Sequence, residues 1–305
     1  MKRSSVYRSR RKKRTPGVAA WLFLIAAWLV VLPVAAAFGY AAFCAQKADA
    51  AETVTQEETQ PREEAPAALS AEYRFIPALN SLRRAEPTIL IYHTHTTEAY
   101  TQTEQNRYRE SGAWRTTDNT KNVVAVGEAL KEILERDYGF TVIHDVTNHE
   151  PPKLATAYDR SLKTMQEYHE KYPSIVLYLD LHRDAYNAEN APTDYLTVNG
   201  TETAKMMFVV GKGEKYEEKP YFDADYALAL RITDHLNSIA AKLARPIRVK
   251  PGRYNQHVAP NCLLVEVGHN ANTLEQALAA MPYLAESIAY AFAATSAPEG
   301  AFVPN

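Results

Sequence analysis

Cysteine is close to absent. Cys44 and Cys262 are the only two in 305 residues. They lie in stretches of different character, which excludes a disulfide framework and a cysteine-built zinc cluster. Glycine is scarce, at 11 residues against 17 prolines, and no internal repeat is evident. With 46% hydrophobic and 23% charged residues, the composition excludes a collagen-like chain, a coiled-coil rod and a wholly disordered protein. Acid is missing from residues 1–14, which hold eight Lys/Arg, and charge of either sign is missing from residues 17–45. The formal net charge of −2 therefore conceals an imbalance: everything after residue 14 carries 26 basic and 36 acidic side chains, a net of −10. An acidic globular part of this kind is poorly suited to gripping nucleic acid, and no nucleic-acid partner is expected.

The uncharged stretch runs for 29 residues, and about 20 apolar residues suffice to cross a bilayer as a helix. It is longer than the apolar core of a cleavable signal, the competing reading, and Cys44 after Phe43 does not suit a lipoprotein cleavage site. Trp21, Trp28 and Tyr40 supply interfacial rings, and the basic residues before the span place the N-terminus in the cytoplasm. Residues 46–70 are rich in Ala, Glu and Thr and hold only Val54 and Leu69 as large aliphatic side chains, too few to bury a core. The expected organisation is a basic cytoplasmic tail (1–16), a transmembrane anchor (17–45), a flexible linker (46–70) and an extracytoplasmic domain (71–305).

Within that domain, short apolar runs rich in strand formers alternate with helical periodicity. Strands are expected at 88–92, 141–145, 174–181, 206–210 and 263–267, with a short one at 246–250. Helices are expected at 122–138, 155–172 and 225–243, and a last one from Thr273, where Gln276 completes a capping box. This alternation predicts an α/β fold, a three-layer domain with a mainly parallel sheet. Active sites in such sheets lie beyond the carboxyl ends of the strands.

Those ends carry the chemistry. The first strand is followed by His93-Thr94-His95-Thr96-Thr97-Glu98, the third by His182-Arg183-Asp184, and the last contains Glu266 and leads to His269. A zinc hydrolase needs imidazole and carboxylate ligands, an open position and a general base. His95, Glu98 and His182 supply the first requirement. Glu266 interrupts an apolar strand, where a carboxylate is costly unless it is paired or functional; it is the candidate base. His93 is an alternative ligand or an outer partner, sharing strand parity with His95 if the strand continues. Asp118 is an alternative carboxylate, with helix capping an equal use for it. Arg183, Arg253 and Asn255 are candidates for holding substrate carboxylates or amides.

Five segments together resemble the stage II sporulation protein P family: ILIYHTHTTEAY (89–100), NVVAVGEAL (122–130), LYLDLHRDAY (177–186), GRYNQH (252–257) and LLVEVGHNANTLEQA (263–277). The resemblance implies a zinc-dependent N-acetylmuramoyl-L-alanine amidase acting on peptidoglycan during spore engulfment. It also implies associated endopeptidase activity, a Zn2+ cofactor, and stage II sporulation proteins D and M as partners. By resemblance to cell-wall amidases, the ligand histidines fall on His95 and His182 and the catalytic glutamate on Glu266. In those amidases the carboxylate ligand opens a helix, which would put it near Asp118; the His-x-x-Glu spacing, similar to zinc carboxypeptidases, favours Glu98. A zinc carboxypeptidase trimming stem peptides and a non-catalytic wall-binding module are the competing functions.

Overall fold

A computed structural model describes residues 85–186 and 194–295. The expected tail, anchor and linker lie outside the described residues, and among the described residues no helix is long and apolar enough to cross a membrane. Six strands form the main sheet: β1 (Ile89–Tyr92), β2 (Val142–His144), β3 (Leu177–Asp184), β6 (Met206–Gly211), β7 (Arg248–Lys250) and β8 (Cys262–His269). Their order across the sheet is β2-β1-β3-β8-β6-β7. All pairings are parallel except β6 with β8, so the fold is α/β with a mainly parallel sheet. The helices are α1 (Val123–Tyr138), α2 (Ala157–Lys171), α3 (Phe222–Ile239) and α4 (Leu274–Thr295).

Strand alternation divides the core into two faces. Ile89 and Ile91, the odd positions of β3 (Leu177, Leu179, Leu181) and those of β8 (Leu263, Val265, Val267) pack with α1, α3 and α4. Leu90, Tyr92, Tyr178 and Cys262 point the other way, onto Met165 of α2. Helices on both faces complete three layers. Because β3 keeps this alternation through His182 and β8 through Glu266, Asp180, His182 and Glu266 are delivered to the α2 face.

Local chemistry sets the ends of the helices. Asn122 caps α1, its Oδ1 accepting from Val124 N at 2.9 Å, an arrangement worth about 1 kcal/mol. The cap is therefore not Asp118. Gly139, at φ 69°, closes α1 in the left-handed region. At α4, Gln276 N donates to Thr273 Oγ1 and Thr273 N to Gln276 Oε1, each at 3.2 Å.

The structure differs from the sequence reading in three places. An antiparallel hairpin, β4 (Tyr195–Val198) with β5 (Thr201–Ala204), stands apart from the main sheet. It turns at Asn199-Gly200, both at positive φ, a turn chemistry suited to hairpins. β3 runs on to Asp184, so His182, Arg183 and Asp184 belong to the strand. Conversely, β1 ends at Tyr92, so strand parity does not link His93 to His95.

Candidate active site

Four elements build the site. The loop after β1 brings His95 and Glu98, β3 brings Asp180 and His182, β8 brings Glu266, and α2 lies across them with Tyr158 and Ser161. In the β3–β8 ladder His182 is directly opposite Glu266. Just beyond, β8 holds one extra residue, since Asp184 pairs with His269. The bulge passes through Gly268 at φ 63°, where a Cβ would come within 2.7 Å of Asn272 Oδ1. The bulge also accounts for His269: its backbone N–H donates to Asn272 Oδ1, its Nδ1 accepts from Ala271 N, and its ring lies edge-on to Tyr186.

His182 is held between two carboxylates. Its Nδ1 lies 3.3 Å from Glu98 Oε2. Its Nε2 lies 2.8 Å from Asp180 Oδ1, an ion-pair distance at which the ring nitrogen does not line up as a hydrogen bond. Burial alone would depress the His182 pKa, but these carboxylates hold it well above its ordinary value. Burial would likewise raise Glu98; the His182 hydrogen bond and the Arg183 and His95 charges outweigh it and hold the carboxyl at about 2. Asp180, 1% exposed, is held below its ordinary value against its own burial by His182 and by Thr94.

The His95 ring meets that of His182 edge to face, with centroids 5.4 Å apart. Burial and the neighbouring His182 charge lower its pKa, and its buried Nδ1 has no hydrogen-bond partner. Glu266 is the converse of Glu98. Burial, with Glu98 and Asp184 adding to it, pushes its carboxyl up to about 8, and its Oε2 is buried without a partner.

The donors suit zinc in kind: two imidazoles, His95 with its buried Nδ1 free of hydrogen bonds, and a carboxylate whose oxygen stands 3.3 Å from Nδ1 of His182. Ligand atoms about 2.0–2.1 Å from a tetrahedral zinc are separated by about 3.3 Å. Among the described residues, no three His, Cys, Asp or Glu side chains are already spaced to hold an ion.

The remaining expected residues lie elsewhere. His93 is fully buried on the α1 side, its Nδ1 2.8 Å from Leu181 O and its Nε2 2.9 Å from His144 Nε2; both nitrogens are engaged away from His95. Asp118 is exposed, its Oδ1 accepting from Thr120 N and Oγ1. Arg183 is buried, donating from Nε to Ala99 O and from Nη2 to Trp114 O, which pins the loop carrying Glu98. Arg253 lies over the Tyr216 ring, 3.6 Å from Glu218. Asn255 is buried and donates to Ser161 Oγ and Tyr158 O.

Three contributors went unnoticed in the sequence. Asp180 interrupts the apolar run LYLDL as Glu266 interrupts LLVEV, two residues from His182 and on its face; that signal was available. Arg115 and Glu150 were not readable. Arg115 Nη1 donates to Glu150 Oε1 at 2.6 Å while Nη2 lies 3.5 Å from Glu98 Oε1. Glu150 also accepts from Thr97 N and Thr97 Oγ1 and stands 3.9 Å from His95 Nδ1. Residues 17 and 52 positions beyond Glu98 meet it only through the loop path.

Residues 42–289 match the family described as stage II sporulation protein P. The stage II sporulation protein P of Bacillus subtilis (strain 168) is 28% identical over 198 residues, 62% of this chain and 47% of that protein. The chain thus spans about half the length of that curated relative. Among solved structures it is similar to the N-acetylmuramoyl-L-alanine amidase AmiC2 of Nostoc punctiforme, with 15% identity, 67% of this chain and 94% of that chain covered, and a TM-score of 0.40. It is similar to the same extent to the CwlD amidase from Clostridioides difficile in complex with the GerS lipoprotein, with 15% identity, 67% and 94% covered, and a TM-score of 0.41.

Proposed function

Because the chain belongs to the stage II sporulation protein P family, we propose that it is a peptidoglycan hydrolase of sporulation, a zinc-dependent N-acetylmuramoyl-L-alanine amidase cutting between muramic acid and the stem peptide. Residues 17–45 hold it in the membrane with the N-terminus cytoplasmic, and residues 46–70 tether the domain outside. Its substrate is peptidoglycan, and stage II sporulation proteins D and M are its proposed partners.

One observation carries the chemical reading: a Glu266 carboxyl directly opposite His182, partly exposed, with its Oε2 buried and unpartnered. A carboxylate in that environment is costly unless it has work to do. His95, Glu98 and His182 would hold the ion, which when bound supplies Lewis acidity at the scissile carbonyl. Glu266 takes a proton from the attacking water as the water oxygen joins the carbonyl carbon. It returns the proton to the amine nitrogen as the C–N bond breaks. Burial pushes this carboxyl up toward the range in which a group can both take and give a proton. Arg115 and Arg183 keep Glu98 in place, and Tyr158, edge-on to His95 and Tyr254, forms an apolar wall that limits water.

The test is digestion of purified sacculi with the full-length chain. Amidase action frees intact stem peptides with new L-alanine N-termini, stops on chelation and resumes with zinc. The His95-x-x-Glu98 spacing also suits a carboxypeptidase; shortened stem peptides with their L-alanine still joined to glycan would establish that reading instead. Binding to sacculi without turnover would leave a wall-binding module.

A further inference from the structure

A hydrogen-bond path runs from the GRYNQH loop to Asp180, which is in ion-pair contact with His182. Asn255 Nδ2 donates to Ser161 Oγ at 3.0 Å. Ser161 Oγ and Thr94 Oγ1 are 2.8 Å apart. Thr94 Oγ1 donates to Asp180 Oδ2 at 2.7 Å and Thr94 N to Asp180 Oδ1 at 2.8 Å. Asp180 Oδ1 then lies against His182 Nε2. Because Thr94 gives its only hydroxyl proton to Asp180, Ser161 is the donor to Thr94. From Asn255 to Asp180 the links can all be made with donors pointing toward the carboxylate, the arrangement in which successive hydrogen bonds reinforce one another, while Tyr158 O takes side contacts from Asn255 and Ser161. All five side chains are buried, and they come from four segments: the loops after β7 and β1, then α2 and β3. The turn that delivers Asn255 holds both Tyr254 and Asn255 at positive φ, 50° and 57°, a conformation that persists only where the surroundings impose it.

We propose that Asn255, Ser161, Thr94 and Asp180 form a buried positioning chain that fixes Nε2 of His182 and thereby presents Nδ1 toward Glu98 and the ion. Asn255 acts through this chain on the metal ligand, not on substrate. The inference rests on the zinc reading above and adds residues to it. A carboxylate fixed 2.8 Å from Nε2 favours the proton on that nitrogen and leaves the lone pair of Nδ1 for a metal. A carboxylate held by two donors of Thr94, itself held by Ser161 and Asn255, cannot swing away when the ring is loaded.

Zinc affinity of the full-length chain, measured by competition with a chromophoric chelator, reads the chain without relying on turnover. Asp180→Asn is expected to weaken zinc about 10–100-fold. Asn255→Ala and Ser161→Ala weaken it less, lowering kcat with KM unchanged. In an Asp180→Asn background, Asn255→Ala adds little, because the link it supports is already cut. Ser161→Ala removes one hydroxyl and serves if Asp180→Asn fails to fold. Asn255→Ala raising KM while leaving zinc affinity intact would make Asn255 a substrate contact and overturn the proposal, as would losses that simply add. A parent chain that retains no zinc would instead overturn the zinc reading and this chain with it.

Discussion

Glu266 faces His182 across the β3–β8 ladder, side by side on the sheet face that α2 covers. In the proposed mechanism the pair places the proton carrier beside a metal ligand on neighbouring strands, with backbone hydrogen bonds fixing their separation. Glu266→Gln keeps the shape and removes the proton chemistry. It should lower kcat on sacculi about 10²–10⁴-fold with an unchanged thermal midpoint or a higher one, because burial already disfavours the charge. Near-wild-type turnover would remove Glu266 from the mechanism.

Gly127 sits inside α1, where alanine would ordinarily gain about 1 kcal/mol. Here a Cβ would come within 2.7 Å of His144 Nε2 and 2.8 Å of His93 Nε2, two rings already bonded to each other. Gly127→Ala should therefore destabilise by about 1–3 kcal/mol in chemical denaturation. Placing it in a His144→Ala background should recover much of the loss.

Asp225 is fully buried at the start of α3, accepting from Cys262 N at 3.0 Å through Oδ1, with Oδ2 unpartnered. Burial pushes its carboxyl up to about 8 against the two backbone hydrogen bonds it accepts. An unfolded aspartate titrates near 3.9. Below about pH 4 both states are protonated. From there to about pH 8 only the folded state keeps its proton, so unfolding releases one and stability falls as pH rises. Asp225→Asn should flatten that slope and raise the thermal midpoint near pH 8 by about 2–6 °C, seen in melts from pH 4 to 9. An unchanged slope would dissociate the pH dependence from this carboxyl.

Glu150 joins Thr97 and Arg115 behind Glu98. Glu150→Ala leaves the Arg115 guanidinium with Glu98 as its remaining carboxylate partner and frees two donors of Thr97. It should cost about 1–3 kcal/mol of stability and lower activity on sacculi, measured by denaturant titration and product release. A variant as stable and active as the parent would show that the loop holds Glu98 without this support.

The strands and helices could be read because their apolar positions recur with periods of two and 3.6, and because Pro, Gly and capping side chains mark their ends. The grouping of His95, Glu98, His182 and Glu266 was legible for a topological reason: parallel strands carry their carboxyl ends to one edge. Sequence patterns are weaker at telling where a strand stops. β3 continues through His182-Arg183-Asp184, and Arg183, expected to be free for substrate, is buried under the Glu98 loop. β1 stops at Tyr92, and His93 turns toward α1. The Arg115–Glu150 pair was illegible because no local pattern records which loop will fold over which. The β4–β5 hairpin carried an Asn-Gly signal that the surrounding polar sequence obscured.

The innermost position of the sheet, between β3 and β6, is taken by β8, the last strand in sequence. Until that segment is made, β3 and β6 have no common neighbour, the β1 loop cannot attach through Thr101 N to Asn272 O, and Glu266 is missing from its place. Contacts spanning 80 to 170 residues must form before any of them is rewarded, which slows folding. Assembly order therefore has a consequence: the proposed site stays incomplete until nearly all of this domain has been synthesised.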